Sequence, residues 1–542
     1  MSLLLNVVLF LPAAGACFLL LLPRSPRHAG ALRRAALAVS LTAFALSLPL
    51  CLRFLPETAE MQFVTDLPWM DSPLIRYHIG VDGISLFLVL LVTFLTVLCV
   101  LVSWRSVEQH VREFFFFLLL LETGAIGVFV SMDLFLFYVF WEATLVPMYF
   151  LIGVWGHERR IYAATKFFLY TIIGSLPMLV GILWLYQRVG SFDYATIALA
   201  IASGSIRFSP NEELWLFLAF FGAFAIRAPL FPLHTWLPDA HLESPTAGAV
   251  MLAGVFLKMG AYGLLRFCLP LFPNASHALA PAIIALAIIG VIYGSLVAMA
   301  QPDIKSLIAY SSVAHLGLVV LGIFSFHTLA VEGAVYQMLS HGVSTGALCL
   351  LAGMLSDRLH THRIADMGGL ATPAPLLASL FFVTTLAGIG LPLLNNFVGQ
   401  FLILLGVLEE NALYAAGGAT GLVLSAAGML WMYQRVFLGE TRPEHAPLPD
   451  LDTREKAILI PAVVLMLFMG VASPFFLHRM EASTEALLDQ VGRSEIRVQQ
   501  RDVSPPRSLA APRSPNRERL VPVSLEWRQR DGFTDAAKPH RD

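Results

Sequence analysis

The sequence predicts an all-α polytopic membrane protein with about fourteen transmembrane helices. Of its 542 residues, 57% are hydrophobic and only 13% are charged, and the mean hydropathy of +0.73 lies far outside the range of soluble globular domains. Apolar runs of about 20 residues recur almost from end to end, and each can cross a hydrocarbon core of ~30 Å as a helix. Two runs also contain helix-breaking residues, which is typical of helices interrupted inside a membrane.

The first apolar run, residues 3–22, has no basic segment before it and is followed by Pro23 and Arg24. This pattern favours a first transmembrane helix over a cleaved signal peptide, with a signal anchor as the alternative. Basic residues in short loops mark the cytoplasmic side of a membrane, and here they follow the first span and precede the fourth, sixth and twelfth. The intervening loops are acidic or neutral. Both termini are therefore expected on the outer, periplasmic side of a bacterial inner membrane.

Two broken helices suggest an internal repeat. The first is expected over residues 213–238, interrupted at Pro229 and Pro232, and the second over 376–406, interrupted around Gly388 to Asn396. Discontinuous helices at corresponding places in two halves are typical of inverted repeats with an ion path at the breaks. The predicted organisation is 1–112 for helices 1–3, 113–270 for the first repeat (helices 4–8), 271–440 for the second repeat (helices 9–13), 441–480 for helix 14, and 481–542 for a polar tail.

The tail differs sharply in composition from the rest of the chain, since it contains the stretch SPPRSLAAPRSPNRER. Such a sequence is typical of disorder, and a lipid or subunit contact through its arginines is the alternative interpretation. Sequence motifs for binding a metal or a cofactor are absent. The five cysteines are scattered in apolar runs without metal-binding spacing, and the chain has no nucleotide, flavin or acyl-transfer motif. Redox chemistry is therefore expected on partner proteins.

Charged residues in the middle of apolar runs are the first candidates for function, because a charge at the bilayer centre costs about 2.5–3.5 kcal/mol on insertion scales. Glu142 lies in the middle of the fifth predicted helix, and Lys258 lies in the middle of the eighth with no acidic neighbour on its own face. A structural ion pair with an arginine is the alternative for Glu142. We expect Lys258 to handle protons, since a side chain at that depth cannot easily reach the membrane surface.

Two histidines and a second lysine extend this set. His315 and His341 fall in consecutive predicted helices among small and hydroxylated residues, and an imidazole can pass a proton through either nitrogen near neutral pH. A buried core role remains the alternative for both. Lys305 is expected just inside the cytoplasmic end of the tenth helix, where it either pairs with Asp303 or feeds the relay.

Longer stretches of the sequence carry a resemblance to a known family. These stretches are GVDGISLFLVLLVTFL, FVSMDLFLFYVFWEATLVPMYFLIGVWG, RRIYAATKFFLYT, PLHTWLPDAHLESPTAGAVMLAGVFLKMGAYGLLRF, QPDIKSLIAYSSVAHLGLV, HGVSTGALCLLAG and DRLHTHRIADMGGL. Over about residues 75–440 the sequence resembles the M-subunit family of proton-translocating NADH-quinone oxidoreductase, respiratory complex I. The antiporter-like relatives of that family include the L and N subunits and subunits of sodium/proton antiporters and membrane-bound hydrogenases.

The resemblance implies fourteen helices, two inverted five-helix repeats and a hydrated polar axis along the membrane midplane. In the family pattern the axis begins at Glu142, which pairs with a lysine of broken helix 7, and it continues through Lys258 and the histidines to a glutamate of broken helix 12. Two positions depart from the pattern, because Arg227 stands at the helix 7 lysine and Gln400 at the helix 12 glutamate. A guanidinium stays protonated and an amide does not ionise, so neither side chain can exchange a proton as the family residue does.

Two other segments carry expectations from the resemblance. The second break reads LPLLNNFVGQ where the family has an LPGTSGFVGE-like sequence, so its hinge geometry is expected to differ. HTWLPDAH, residues 234–241, is expected to form the cytoplasmic loop into helix 8. Glu409 and Glu410 are expected at the outer surface, although they are the alternative replacements for the missing glutamate.

The leading hypothesis is a membrane-arm subunit of proton-translocating NADH-quinone oxidoreductase, so that the chain belongs to an enzyme without carrying redox chemistry itself. The resemblance implies L-type and N-type subunits and the lipid bilayer as partners, with no nucleic acid. NADH, FMN, iron–sulfur clusters and quinone are expected on other subunits, and no metal or cofactor on this chain. The alternatives are a diverged, non-pumping second copy that only couples its neighbours, and a module of a cation/proton antiporter or ion-uptake complex.

Overall fold

The computed structural model describes residues 2–24 and 26–502 and is built almost entirely from helices. The helices of the first half are α1 (Ser2–Leu21), α2 (Ala29–Leu52), α3 (Leu86–Ser106), α4 (Val111–Val130), α5 (Leu134–Trp155), α6 (Arg160–Val189), α7 (Tyr194–Ser203), α8 (Pro210–Arg227), α9 (Trp236–Glu243) and α10 (Thr246–Leu271). Those of the second half are α11 (Pro273–Met299), α12 (Ile304–Phe324), α13 (Thr328–Leu359), α14 (Pro375–Gly388), α15 (Asn395–Glu410), α16 (Ala412–Phe437), α17 (Thr453–Val471) and α18 (Ser473–Asp502).

The number of membrane spans is close to the prediction. Within the described residues, 11 helices are long and apolar enough to cross a membrane, or up to 12 if the bent pair α17 and α18 counts as one span. The two broken helices fall outside this number, because α14 and α15 have only 14 and 16 residues and α8 carries three charged residues. The polytopic helical fold is confirmed, whereas a total of fourteen spans stays a prediction.

Four helices form the centre of the protein. In α10 and α13 the most apolar 18-residue stretch is completely buried, and in α12 and α3 it is 94% and 83% buried. The same stretch is only 33–39% buried in α1, α2, α6 and α16, which therefore surround the centre and face outward. Lys258, His315 and His341 all belong to the central helices α10, α12 and α13.

A β-hairpin departs from the all-α prediction within the part of the chain that the structure describes. Strands β1 (Gln62–Asp71) and β2 (Leu74–Val81) pair antiparallel in the segment that joins α2 to α3. The hairpin is held at both sides, since the Tyr77 hydroxyl donates to Asn6 Oδ1 of α1 at 2.5 Å and the Met132 amide, just before α5, donates to the His78 carbonyl at 2.9 Å. The all-α prediction overlooked the β-branched and aromatic residues of this segment.

The break after α8 is organised differently from the prediction. Residues 228–235 form turns, and the segment expected as a loop instead begins helix α9 at Trp236. The Trp236 indole donates to the Ile226 carbonyl at 3.0 Å, and the Leu230 amide donates to the Ala225 carbonyl at 2.9 Å. A break inside a membrane is stable only where freed backbone groups find partners in this way, so the second helical segment is part of the break.

The end of the chain differs from the prediction. The last predicted span, at about residues 458–477, ends at Val471, and the chain bends by 69° into α18. The expected disordered tail from residue 481 is wrong for residues 481–502, which are helical. The helix is amphipathic, with Met480, Thr484, Leu487 and Val491 buried at intervals of three to four residues. The remaining tail, residues 503–542, lies outside the described residues, and its disorder stays a prediction.

Candidate functional site

Glu142 is positioned by a firmly capped helix. The Asp133 carboxylate accepts hydrogen bonds from the amides of Phe135 and Leu136 at 2.9 and 3.0 Å, which fixes the start of α5. Glu142 follows about two and a half turns later and is partly buried. Its Oε1 is buried and has no hydrogen-bond partner among the described residues. Glu142 is therefore a carboxylate held inside the protein with unused bonding capacity.

Arg227 is the last residue of α8, and its side chain packs between aromatic rings. The guanidinium carbon lies 3.6 Å from the centre of the Trp141 ring and 4.2 Å from that of Phe256. Its nitrogens reach Thr144 Oγ1 at 3.3 Å and the Trp141 carbonyl at 3.5 Å. Arg227 thus packs on α5 close to Glu142, but no ion pair within 4 Å joins the two among the described residues. The expected direct pairing is not formed in this conformation.

Lys258 lies at the centre of α10 and is completely buried. Its Nζ lies 2.8 Å from His341 Nδ1 of α13 and also donates to the Ala253 carbonyl. The turns Leu252–Phe256 and Leu264–Cys268 on either side are π-helical, a distortion that is frequent at functional sites. A side chain at Gly260 would collide with the Ala228 backbone nitrogen, so this glycine lets α10 approach the end of α8.

The two histidines extend the contact made by Lys258. The ring centres of His315 and His341 are 5.1 Å apart, and both residues are buried. His315 Nδ1 and His341 Nε2 have no hydrogen-bond partner among the described residues. The structure therefore brings three of the predicted residues, Lys258, His341 and His315, into one row across α10, α13 and α12.

Lys305 lies at a separate place, in the first turn of α12. Its Nζ lies 3.0 Å from His157 Nε2 and donates to the Ser244 carbonyl at 3.1 Å. The suggested pair with Asp303 is not formed, because that carboxylate accepts the Ser306 amide at 2.7 Å and caps the helix. Burial and the charge of Lys305 lower the pKa of His157 to about 4. The imidazole is therefore neutral and accepts a hydrogen bond from the ammonium group.

Gln400 lies in the second turn of α15, just after the break between α14 and α15. Its Oε1 packs against Gly390, where φ is +80° and a side chain would collide with this oxygen. Gln400 Nε2 is buried without a hydrogen-bond partner among the described residues. Leu393 in the same break has φ +75°, a conformation that is strained for a residue with a side chain. The altered family sequence thus has a distorted break with the Gln400 amide packed against it.

Polar contacts that were not predicted from the sequence hold this break against α13. Asn395 Nδ2 donates to the Ser340 carbonyl at 2.8 Å, and Asn396 Nδ2 donates to Ser344 Oγ at 2.9 Å. Ser340 and Ser344 flank His341 on α13, so the break is tied to the helix turn that carries this imidazole. The remaining oxygen of each asparagine is buried without a partner among the described residues. The two adjacent asparagines in an apolar run were the sequence signal that could have predicted these contacts.

A second contact that was not predicted from the sequence joins α9 to α13. His241 Nε2 lies 3.3 Å from Cys349 Sγ of α13, and both residues are completely or almost completely buried. Cys349 lies eight residues after His341 and therefore on the same face of α13. No group of three or more His, Cys, Asp or Glu side chains that could hold a metal ion occurs in the part of the chain that the structure describes.

Taken together, these side chains form a discontinuous line of buried polar groups. It runs from Glu142 and Arg227 to Lys258, His341 and His315, with Gln400 and Lys305 set apart from that row. Their arrangement suits proton transfer, because lysine and imidazole nitrogens in hydrogen-bond contact can exchange a proton within a low-dielectric interior.

Comparison with known proteins identifies the family. Residues 131–425 match the family described as NADH:quinone oxidoreductase/Mrp antiporter, TM. The chain is 43% identical to NADH-quinone oxidoreductase subunit M of Rickettsia prowazekii over 89% of this chain and 98% of that protein. It is 45% identical to the subunit M of Rhodobacter capsulatus, covering 86% and 93% of the two chains, and 41% identical to NADH-ubiquinone oxidoreductase chain 4 of Marchantia polymorpha, covering 89% and 97%.

Solved structures share the fold. A chain of respiratory complex I from Thermus thermophilus superposes with a TM-score of 0.82 at 32% identity, covering 90% of this chain and 100% of that one. A chain of the Mrp complex from Dietzia sp. superposes with a TM-score of 0.79 over 91% of this chain and 100% of that one, but at 19% identity this likeness shows the fold alone. By its sequence over most of its length and by its fold, the chain belongs to the NADH-quinone oxidoreductase subunit M family, the antiporter-like membrane subunits of respiratory complex I.

Proposed function

We propose that this chain is a membrane-arm subunit of a proton-translocating NADH-quinone oxidoreductase and that it conducts protons itself. Quinone reduction on other subunits would drive proton movement through the buried row of this one. NADH, FMN, iron–sulfur clusters and quinone would all be held by those partners. The catalytic contribution of this chain is then translocation rather than redox chemistry.

The observation that carries the proposal is the contact between Lys258 Nζ and His341 Nδ1 at 2.8 Å. An isolated charge at this depth costs several kcal/mol, so an ammonium group with no carboxylate in contact is an unstable arrangement unless its proton can leave. His341 is the nearest base and His315 follows at a ring distance of 5.1 Å. Proton transfer from Lys258 to His341 would leave a neutral amine and an imidazolium one step further along the row.

The proposed path has Glu142 and Arg227 at one end and the broken helix with Gln400 at the other. Arg227 would act as a fixed positive charge near Glu142 rather than as a carrier, since a guanidinium does not release its proton. Gln400 would orient water or a neighbouring side chain through its amide. Lys305, beside the neutral imidazole of His157, would lie on the cytoplasmic approach to the row.

The remaining parts of the proposal concern the orientation in the membrane, the neighbouring subunits and the two repeats. Multi-pass insertion in a bacterial inner membrane with both termini on the periplasmic side is proposed, and the distribution of basic loops supports it. L-type and N-type antiporter-like subunits are the proposed neighbours. The two repeats are proposed to cover residues 113–270 and 271–440, each with one broken helix.

A second candidate function is a coupling subunit that transmits an electrostatic signal without moving a proton. The observations that favour it are the positions of Arg227 and Gln400, neither of which can exchange a proton in the way a lysine or glutamate does. The two functions differ in one measurable respect, because only a conducting subunit adds to the number of protons moved per electron pair.

The test is proton translocation per electron pair by the purified complex in proteoliposomes. Lys258→Ala is compared with Lys456→Ala, a partly exposed lysine in the first turns of α17. We expect the ratio to fall for Lys258→Ala and to stay at the wild-type value for Lys456→Ala. An unchanged ratio in an assembled Lys258→Ala complex would exclude conduction by this chain and leave the coupling role.

A further inference from the structure

A carboxylate that the proposed path does not use lies on α4. Glu122 is 0% exposed, and neither of its carboxylate oxygens has a hydrogen-bond partner among the described residues. The other glutamates that are at most 7% exposed among the described residues, Glu213, Glu243 and Glu455, all accept hydrogen bonds. Glu213 accepts from the Asn274 amide at 2.8 Å and from the Asn274 side chain at 2.9 Å, and Glu455 forms an ion pair with Arg358 at 2.5 Å. Glu122 therefore differs from carboxylates with a structural role.

The position of Glu122 places it beside the central helices. Phe129 lies seven residues later, on the same face of α4, and its carbonyl accepts a hydrogen bond from the Tyr262 hydroxyl of α10 at 3.1 Å. The rings of Phe129 and Tyr262 are 5.3 Å apart. The α4 face that carries Glu122 is thus the face that packs on α10.

The hydrogen bond between Tyr262 and Phe129 allows the depths of Glu122 and Lys258 in the membrane to be compared. Glu122 precedes Phe129 by seven residues, or about 10 Å of helix, and Lys258 precedes Tyr262 by four residues, or about 6 Å. Both helices are expected to start on the cytoplasmic side, so the two groups lie at levels that differ by about one helical turn.

The surroundings of Glu122 on its other side come from α3. Helix α3 packs on both α4 and α10. Cys99 Sγ donates to the Ala247 carbonyl of α10 at 3.6 Å. Glu122 lies on a helix that packs against both α3 and α10 and, at 0% exposure, has no contact with lipid.

Physical chemistry determines the charge of Glu122 in this environment. An ionised carboxylate without a hydrogen bond or a cation in contact costs many kcal/mol in a low-dielectric interior, so the group takes up a proton instead. A neutral acid with no bonding partner contributes nothing to the fold that an apolar side chain would not, and such replacements are often neutral or stabilising. Packing therefore gives no reason for a carboxyl group at this position.

We propose that Glu122 is an additional proton-binding site of the subunit, which holds a proton in the conformation described here and exchanges it with Lys258. In the transfer the O–H bond of the Glu122 acid breaks and an N–H bond forms on the neutral Lys258 amine, which leaves a carboxylate and an ammonium group that attract one another. The step requires α10 to move, and the π-helical turns on both sides of Lys258 provide places where its register can change. This inference rests on the proposed proton-conducting function.

The experiment uses the whole complex with Glu122→Leu, Glu122→Gln and Glu122→Asp, and Glu213→Gln as the matched control at a hydrogen-bonded buried glutamate. For Glu122→Leu we expect a thermal midpoint equal to or above that of the wild type together with a loss in protons moved per electron pair. Glu122→Gln should show the same loss, and Glu122→Asp should recover part of the ratio. Glu213→Gln should lower the thermal midpoint and leave the ratio unchanged.

An infrared measurement tests the protonated state that the proposal assigns to Glu122. The carbonyl stretch of a protonated carboxylic acid should be present in the wild type and in Glu213→Gln, and reduced in Glu122→Gln. If the Glu122→Gln and Glu122→Leu complexes translocate like the wild type, the proposal is wrong. If Glu122→Leu does not assemble, the decision falls to Glu122→Gln, whose shape matches the native side chain.

Lys258→Ala, measured in the same vesicles, separates this inference from the function on which it rests. A loss with Lys258→Ala but none with Glu122→Gln would overturn only the role of Glu122. No loss with either variant would overturn proton conduction by the whole chain.

Discussion

Replacing Arg227 by lysine tests why a guanidinium stands at the end of α8. The side chain is 1% exposed, and its guanidinium packs over Trp141 at 3.6 Å and Phe256 at 4.2 Å. A planar, weakly hydrated cation can lie between two rings in this way, whereas an ammonium group is compact and strongly hydrated. Arg227→Lys keeps the charge and removes this packing.

The loss of stability can be worked out from these contacts. A desolvated cation–π contact contributes about 2 kcal/mol, so the two rings together contribute up to about 4 kcal/mol. A lysine ammonium can keep contact with one ring, and we therefore expect Arg227→Lys to lower the free energy of unfolding by about 2 kcal/mol. That difference corresponds to roughly a 30-fold change in the folded-to-unfolded ratio.

The assay is denaturant-induced unfolding of this subunit in the detergent-solubilised complex. Arg207→Lys is the matched control, because Arg207 is exposed and a surface change should fall within about 0.5 kcal/mol of the wild type. The proton-to-electron ratio of Arg227→Lys should remain at the wild-type value, since the positive charge is retained, and Arg227→Met should lower it. Wild-type stability in Arg227→Lys would refute the argument that ring stacking holds the guanidinium.

Three further predictions concern groups elsewhere in the protein. The hydrogen bond to Asp193 raises the pKa of His78 above its usual 6.5. The stabilising contribution of His78 is therefore fully present below pH 6.5 and is lost as the pH rises through the raised pKa. The difference in thermal midpoint between the wild type and His78→Gln should shrink over the same pH range. Lys305→Met should raise the pKa of His157 above about 4, because the neighbouring charge is lost while burial remains, and the pH dependence of imidazole modification by an acylating reagent would report the shift. Gln400→Glu should keep the wild-type proton-to-electron ratio, whereas Gln400→Leu removes both polar atoms from the break and should lower it.

The sequence alone predicted the central features of the fold because they depend on local composition. Long apolar runs identify membrane helices, and prolines or glycines within them identify the breaks. The two breaks are present at the expected places, after Arg227 and after Gly388. The internal geometry of each break was not predictable, since it depends on bonds such as that from Asn395 to Ser340, 55 residues apart in the chain.

The predictions of secondary structure were wrong where the average composition of a segment concealed its pattern of buried and exposed residues. The helix α18 belongs to a segment whose polar and charged residues suggested a tail, although its buried residues recur every three to four positions. The β-hairpin lies in a loop between two strong membrane helices, where short strands give a weak signal.

The candidate site was predictable in part for the same reason. Isolated charges in apolar runs pointed to Glu142 and Lys258, and the structure brings Lys258 into contact with His341. The same criterion applied to Glu122 would have found a carboxylate that the sequence analysis passed over. The stacking of Arg227 on Trp141 depends on tertiary packing between α8 and α5 and has no local signal.

Non-additivity in a double-mutant cycle tests the central claim that Lys258 and His341 act in one proton path. Lys258→Gln and His341→Gln are made separately and together, and protons moved per electron pair are measured for the assembled complex in proteoliposomes. Groups that act in series as a unit give grossly non-additive effects, so we predict that each single variant loses proton translocation and that the double variant loses no more. Losses that combine independently, or single variants that translocate like the wild type, would contradict a path through this contact.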